Sequence, residues 1–374
     1  MLSRKDAPPP LDNAQELGAY SPQRFPFHLT AMCNTGIALL PKQKPMIKQK
    51  LADSHPTGGG AGIRLGVSAC LLGEKVRYDG AHKLDRFLRD TLGQYVEYVP
   101  VCPEAECGLG IPREPMRLVG DPGSPRLVTI RGGVDYTARM LEWACNRVAK
   151  LENEDLCGFI FKSGSPSSGM ERVKVYSERG VPAKNGVGLF ARLFMEHFPL
   201  LPVEDEGRLH DPKLREGFIE AVFTLKRWRE SLEEEKNLAN LIRFHTTHKY
   251  LMLSHSPEHY REMGKLVAHA KEAPIDEAFN KYAELLLGAL RRKTTVRKNA
   301  NVLQHLMGYF KRYLSSDEKQ ELSDIIERYR KEMLPLIVPV TLIGHYTRKY
   351  DEPYLKEQYY LNPHPKELCL RNHV

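Results

Sequence analysis

The sequence predicts an α/β domain with a Rossmann-like parallel sheet, followed by a mainly α-helical domain. Three observations carry that prediction. Between residues 63 and 205, short β-rich runs alternate with amphipathic helical stretches, the pattern of βαβ units. Each β-rich run ends in a short polar loop. From Asp211 onward, apolar residues recur at helical spacing in one long segment after another.

The first strand is expected over residues 63–68, leading to Cys70, and a helix over about 82–92. A second strand, 95–101, ends at Cys102. Residues 135–151 carry Met140, Leu141, Ala144, Cys145 and Val148 on one helical face. A third strand, 158–162, runs into Ser163-Gly-Ser-Pro-Ser-Ser-Gly169. Ligands of parallel sheets sit beyond the carboxyl ends of the strands, so these three loops are expected to converge on one site. In the second part, Asp211-Pro212 reads as an N-cap followed by proline at the first helical position. Helices are expected over about 212–234, 236–253, 257–271, 275–292, 297–314 and 318–333, with Ser315-x-x-Glu318 as a capping box. Beyond Leu334 the Pro- and Tyr-rich chain reads as irregular. The expected divisions are a disordered extension over 1–62, an α/β domain over 63–205 and a helical domain over 206–374. For the extension, a start misassigned ahead of Met46 is the other reading.

With 41% hydrophobic and 27% charged residues, most of the 374-residue chain can fold around cores. The longest apolar run, near Leu334, is broken by Pro335 and Pro339 and falls short of the ~20 residues that span a bilayer, so no membrane partner is expected. The net charge of +8 is uneven. Residues 1–62 hold 7 basic and 4 acidic side chains, 63–210 hold 20 and 20, and 211–374 hold 28 and 23. The α/β part is therefore neutral, and charge alone does not make it a nucleic-acid binder. Seven cysteines, an odd count in a long chain, suggest a reducing compartment, and a cytoplasmic location is expected.

Two strand-end cysteines stand out. Cys70 lies in Val67-Ser-Ala-Cys-Leu-Leu-Gly73, ahead of Val76-Arg-Tyr-Asp-Gly80, and Cys102 lies in Val101-Cys-Pro-Glu104. A single such cysteine usually just packs. Two aimed at the ligand edge of one sheet point to a site, and thiolates there suit soft metals and iron–sulfur clusters. A thiol nucleophile would need a nearby base, and His82 is the only histidine between residues 56 and 196. Glu104, Lys162 and Ser165 are the catalytic candidates. Arg77, Asp79, Arg113 and Ser167 are candidates for positioning substrate, with structural roles equally open. In the helical part, His245 and His248 share a face at a spacing that can bind metal, although core packing is the commoner use. Arg291, Arg292, Lys293, Arg297 and Lys298 place five basic residues in eight, either as a contact to nucleotide or RNA phosphates or as a solvated helix junction.

The motifs Cys-Leu-Leu-Gly with Val-Arg-Tyr-Asp-Gly, Cys-Pro-Glu with Gly108-Leu-Gly-Ile-Pro-Arg113, and Lys162 with Ser-Pro-Ser-x-Gly resemble the bacterial thiouracil desulfidase family over about residues 63–205. Residues 206–374 resemble the YbgA-like domain through Glu204-Asp-Glu-Gly-Arg-Leu209, Phe244-His-Thr-Thr-His-Lys249, Asn301-Val-Leu-Gln-His-Leu306 and Tyr359-Tyr-Leu-Asn-Pro363. The first resemblance implies a [4Fe-4S] cluster held by three cysteines, with an open iron that polarises the C–S bond of a thiolated uracil. The three ligand positions map to Cys70, Cys102 and Ser168, the last being the main departure from the family. Three outcomes follow: Ser168 ligates through oxygen, Cys107 substitutes, or the cluster is lost. The expected activity is removal of sulfur from a thiolated pyrimidine base or nucleotide. The alternative is a non-catalytic module binding nucleotide, nucleic acid or protein through a degenerate cluster site.

Overall fold

A computed structural model of the chain describes residues 62–373, so the expected extension, apart from its last residue, lies outside the described residues. The first strand, β1 (Arg64–Ser68), is nearly continuous in apolar and small residues, as suits a strand covered on both faces. It pairs in parallel with β2 (Glu97–Val101) on one side. Helix α1 (Pro103–Glu106) opens directly after Cys102. Then come β3 (Met116–Val119), β4 (Arg126–Thr129) and α2 (Thr137–Leu151), whose Met140, Ala144, Val148 and Leu151 are buried. Strand β5 (Leu156–Phe161) is buried throughout and pairs in parallel with the other side of β1. Strands β6 (Val173–Tyr176) and β7 (Pro182–Gly186), helix α3 (Leu189–His197) and strand β8 (Val203–Asp205) complete this half.

The main sheet is parallel, in the order β2-β1-β5-β8. From β1 the chain moves first to β2 on one side and later to β5 on the other. The strand order therefore reverses between β1 and β5, and a crevice at their carboxyl ends is the expected ligand position. The four-stranded sheet β4-β3-β6-β7 was not foreseen. Its strands are only four or five residues long, joined antiparallel except for β3 and β6, and β7 is mostly exposed. Strands that short leave little periodicity to read.

The expected helix over 82–92 is replaced by an extended run and a single irregular turn, Phe87–Thr91. The backbone explains the change. Lys83 N and Asp85 N donate to Cys70 O and Leu71 O, both at 2.9 Å, so this stretch braces the Cys70 turn instead of coiling.

Long helices follow: α4 (Pro212–Glu233), α5 (Leu238–His255), α6 (Pro257–Ala268), α7 (Ile275–Leu290), α8 (Val296–Met307) and α9 (Ser316–Arg330). The Asp211 side chain accepts from Lys213 N and Leu214 N, and the Ser315/Glu318 capping box forms in both directions. The region beyond Leu334 is not irregular. It forms α10 (Ile337–Lys349) and the short α11 (Pro353–Lys356). Pro339 sits in the first turn of α10, where its missing N–H would have no intrahelical partner in any case.

Helix α4 belongs to both halves. Its Phe218, Ile219, Val222 and Phe223 share one core with Leu65 and Val67 of β1 and Ile160 of β5, and Leu368 and Leu370 of the tail join them. Gly158 in β5 permits the approach, since a methyl there would meet Val222 Cγ2 at 3.0 Å. Among the described residues, no helix is long and apolar enough to cross a membrane.

Candidate functional site

A cavity of about 320 Å³ opens at the carboxyl ends of β1, β2 and β5. Cys70 reaches it from the short turn that follows β1. That turn closes at Gly73 with φ 97°, a left-handed value that favours glycine. Cys102 stands at the end of β2, as the N-cap residue of α1. The loop after β5 brings Lys162, Ser163, Ser165 and Ser168 to the same wall. Gly169 lets that loop fold tightly, because a methyl there would lie 2.7 Å from Ser165 O. The loop also anchors α3, since Phe190 N and Ala191 N donate to Ser167 O at 3.0 and 3.1 Å.

Both cysteines are half-buried at the cavity wall. Burial pushes the Cys70 thiol up to about 11, while the Lys162 ammonium pulls against the rise. Burial, reinforced by the Glu104 carboxylate, pushes Cys102 up to about 12. With nothing bound they are neutral thiols, and a metal held there would displace their protons.

Glu104 is the best-organised acid in the cavity. Its Oε1 accepts from Ser167 Oγ at 2.6 Å, and Oε2 lies 3.9 Å from Arg113 and 3.7 Å from Cys102 Sγ. Ser167 Oγ is 3.0 Å from Ser165 Oγ, which also accepts from Ser167 N and Ser168 N. Since Ser167 donates to Glu104, Ser165 donates to Ser167, giving a relay of two hydroxyls ending on the carboxylate. Ser167, expected to contact substrate, is fully buried and does not line the cavity, so its contact is with Glu104 instead.

Lys162 is held firmly. Its ammonium donates to Ser163 O at 3.0 Å, to Ser163 Oγ at 3.2 Å and to a Glu206 carboxylate oxygen. All three donors are engaged, so it presents a fixed positive charge rather than a free proton shuttle. Glu206 escaped the sequence reading. It follows β8, the fourth parallel strand, which ends at the same sheet edge, and it also accepts from Ser163 N at 2.7 Å. Recognising the three-residue run 203–205 as a strand would have found it.

Arg77 and Arg113 line the cavity, and Arg113 donates to Val76 O at 3.1 Å. Asp79 is outside it. It pairs with Arg77 at 3.4 Å and accepts from Ala81 N, which makes it a turn-former. Cys107 is also outside. It packs with Leu109, Leu118 and Met140 in the core under the smaller sheet. Elsewhere, Lys298 folds inward and donates to His255 O and Lys293 O, while Arg291, Arg292, Lys293 and Arg297 lie on the surface. In the helical half, His245 Nδ1 lies 3.2 Å from Tyr282 Oη and His248 is stacked on Phe244. Among the described residues, no group of three His, Cys, Asp or Glu side chains is arranged to hold a metal ion.

Residues 65–206 match the family model described as 2-thiouracil desulfurase, and residues 249–365 match one described as a protein of unknown function, DUF1722. YbgA of Escherichia coli, an uncharacterized protein, is 30% identical over 152 residues, covering 40% of this chain and 90% of YbgA. YbbK of Bacillus subtilis, also uncharacterized, is 32% identical over 108 residues, covering 28% of this chain and 71% of YbbK.

The chain belongs to the 2-thiouracil desulfurase family, fused to a YbgA-like domain.

Among solved structures, the [4Fe-4S]-dependent thiouracil desulfidase TudS is 32% identical, with 40% of this chain and 94% of TudS covered and a TM-score of 0.33. The two family matches meet the two halves of the fold. The desulfurase match takes in β1 to β8 with every strand-end loop of the cavity, and the YbgA-like match starts within α5.

Proposed function

We propose that the α/β half is a desulfidase that removes sulfur from a thiolated pyrimidine base or nucleotide with the help of an iron–sulfur cluster. The observation that carries this reading is the convergence of Cys70, Cys102, Ser168, Glu104 and Lys162 on one cavity at the reversal point of a parallel sheet. The donor set fits such a group. Two soft sulfur donors face the cavity, and the buried Ser168 offers oxygen as the third ligand. When bound, the cluster supplies Lewis-acid polarisation of a C–S bond.

The chain's own residues then have separate duties. Glu104, oriented by Ser167, holds a water or takes its proton at Oε1 or Oε2. Lys162, fixed by Glu206 and Ser163, sets a positive charge beside Cys70 and favours bound anionic sulfur. Arg77 and Arg113 orient the pyrimidine or its phosphate at the cavity wall. Ser168 favours a second reading, a site that still binds a pyrimidine but no longer holds iron.

The deciding experiment is iron and acid-labile sulfide per chain after anaerobic reconstitution, together with sulfide release from 2- and 4-thiouracil. Wild type is expected to hold iron, Ser168→Cys to hold it more tightly, and Cys70→Ser or Cys102→Ser to lose it. Iron in Ser168→Cys with none in wild type would overturn the desulfidase reading and leave the binding module.

A further inference from the structure

We infer that the YbgA-like half carries a second small-molecule site, an oxyanion pocket centred on Arg227. It is a cavity of about 460 Å³ lined by α4, α5 and the segment after α11, within the size range of ligand pockets. It is separate from the cavity that holds Cys70 and Cys102, and it stands whether or not the desulfidase reading does.

Arg227 is a half-buried cation with no carboxylate within ion-pair distance among the described residues, although Glu220 and Glu230 act on its charge from farther off. Its Nε donates to His248 Nε2 at 3.1 Å, Nη1 to Pro363 O at 2.9 Å and Nη2 to Thr224 Oγ1 at 3.0 Å. All three acceptors are neutral. His248 accepts at Nε2 and is 2.9 Å from Phe244 O through Nδ1, so Nδ1 carries the ring's one proton. No carboxylate is paired with Arg227 among the described residues, and two of its five N–H groups have no partner there. Burial pulls its pKa down to about 10. A guanidinium withdrawn from water without a directly paired counter-charge is costly, and an oxyanion relieves that cost.

Of the other charges around the cavity, the exposed Glu357 carboxylate at the rim has no ion-pair partner among the described residues, and the rest are matched. Arg243 pairs with Glu234, Lys356 with Asp351, and Glu230 with Lys226 at 3.5 Å. Arg227 is also held in place rather than left to move. Its guanidinium lies 4.2 Å over the Tyr359 ring, Tyr359 stacks on His248 at 4.3 Å, and His248 stacks on Phe244 at 3.9 Å. Two motifs that stood out in the sequence, Phe244-His-Thr-Thr-His-Lys249 and Tyr359-Tyr-Leu-Asn-Pro363, therefore build one rigid mount for one cation. The ligand is a small molecule recognised by its carboxylate or phosphate group.

The test uses the full chain, with inorganic phosphate and acetate as probes and chloride at matched ionic strength as control, read by calorimetry and by thermal shift. Wild type is expected to bind at least one probe saturably. Arg227→Gln should weaken that binding tenfold or more, and Asn362→Trp, an exposed substitution at the cavity rim, should block it. Phosphate alone binding assigns a phosphoester ligand, and acetate binding equally well assigns a carboxylate. Binding that survives in both variants, or no saturable binding in wild type, overturns the proposal. Should Arg227→Gln not fold, Asn362→Trp decides alone.

Discussion

Gly66 is the point where the sheet has least room, and Gly66→Ala measures it. Gly66 lies on β1 directly opposite Phe159 of β5. A methyl built on Gly66 would sit 2.5 Å from Phe159 Cε2 and 3.0 Å from Cγ, and closer still to Cδ2. Ordinary contact begins near 3.4 Å, so the ring would have to retreat. It has nowhere to go. Phe159 is fully buried, with Phe161 at 4.4 Å, Phe194 at 4.6 Å and Phe190 at 5.8 Å between ring centroids. Overpacking of this kind costs about 1–3 kcal/mol, and the rigidity of the cluster places the expected loss near the upper half, about 2–3 kcal/mol. The assay is urea denaturation followed by tryptophan fluorescence from Trp143 and Trp228. Adding Phe159→Leu should return part of the loss, with a coupling of about 1 kcal/mol between the two sites. A Gly66→Ala variant within about 0.5 kcal/mol of wild type, or strict additivity in the double variant, would refute the account of how β1 and β5 are fitted together.

Three further outcomes are expected. Cys107→Ser should leave iron per chain unchanged in the reconstitution assay, because Cys107 is packed away from the cavity; iron loss in that variant would place a ligand where the structure has none. Burial pushes His245 from 6.5 down to about 4, with Lys249 adding to the shift. Its folded pKa lies below the unfolded one, so the stability it contributes is complete above about pH 6.5 and fades as pH falls toward 4, with a slope of up to about 1.4 kcal/mol per pH unit; urea titrations at several pH values should show a shallower acid limb in His245→Asn, and equal limbs would refute the assignment. Asp211→Ala should cost about 1 kcal/mol through loss of the α4 cap, and an unchanged denaturation midpoint would show that the cap is idle.

The strongly periodic parts of this chain were legible from sequence. The three strands that carry Cys70, Cys102 and Lys162 were placed to within two residues, because buried parallel strands are continuous apolar runs. The long helices and both caps at Asp211 and Ser315 were legible for the same kind of local reason. The stretch over 82–92 failed because its backbone is committed to the Cys70 turn, a contact that no local pattern shows. The four-residue strands of the smaller sheet carry too few residues to show alternation. Within the site, Cys70, Cys102, Glu104, Lys162 and Ser165 line one cavity while Asp79, Ser167 and Cys107 do not, and the relations among them are not readable from the sequence. That Ser167 serves Glu104 and that Lys162 answers to Glu206 are facts of packing across separations of 63 and 44 residues, whereas Asp79 serves a local turn through Ala81 N.

Those relations also give the fusion of the two halves a physical sense. The segment between them does more than link. Strand β8 adds in parallel to β5 and delivers Glu206 to Lys162 and Ser163, so the charge beside Cys70 is fixed from the junction. A few residues later Asp211 starts α4, and α4 lays Phe218, Ile219 and Val222 on the face formed by β1 and β5. The buried Arg371 of the tail then ties back to Glu216 and Glu220 on the same helix, at 3.0 and 2.7 Å. The strands that aim the two thiols are therefore backed by a helix that is itself clamped by the end of the chain.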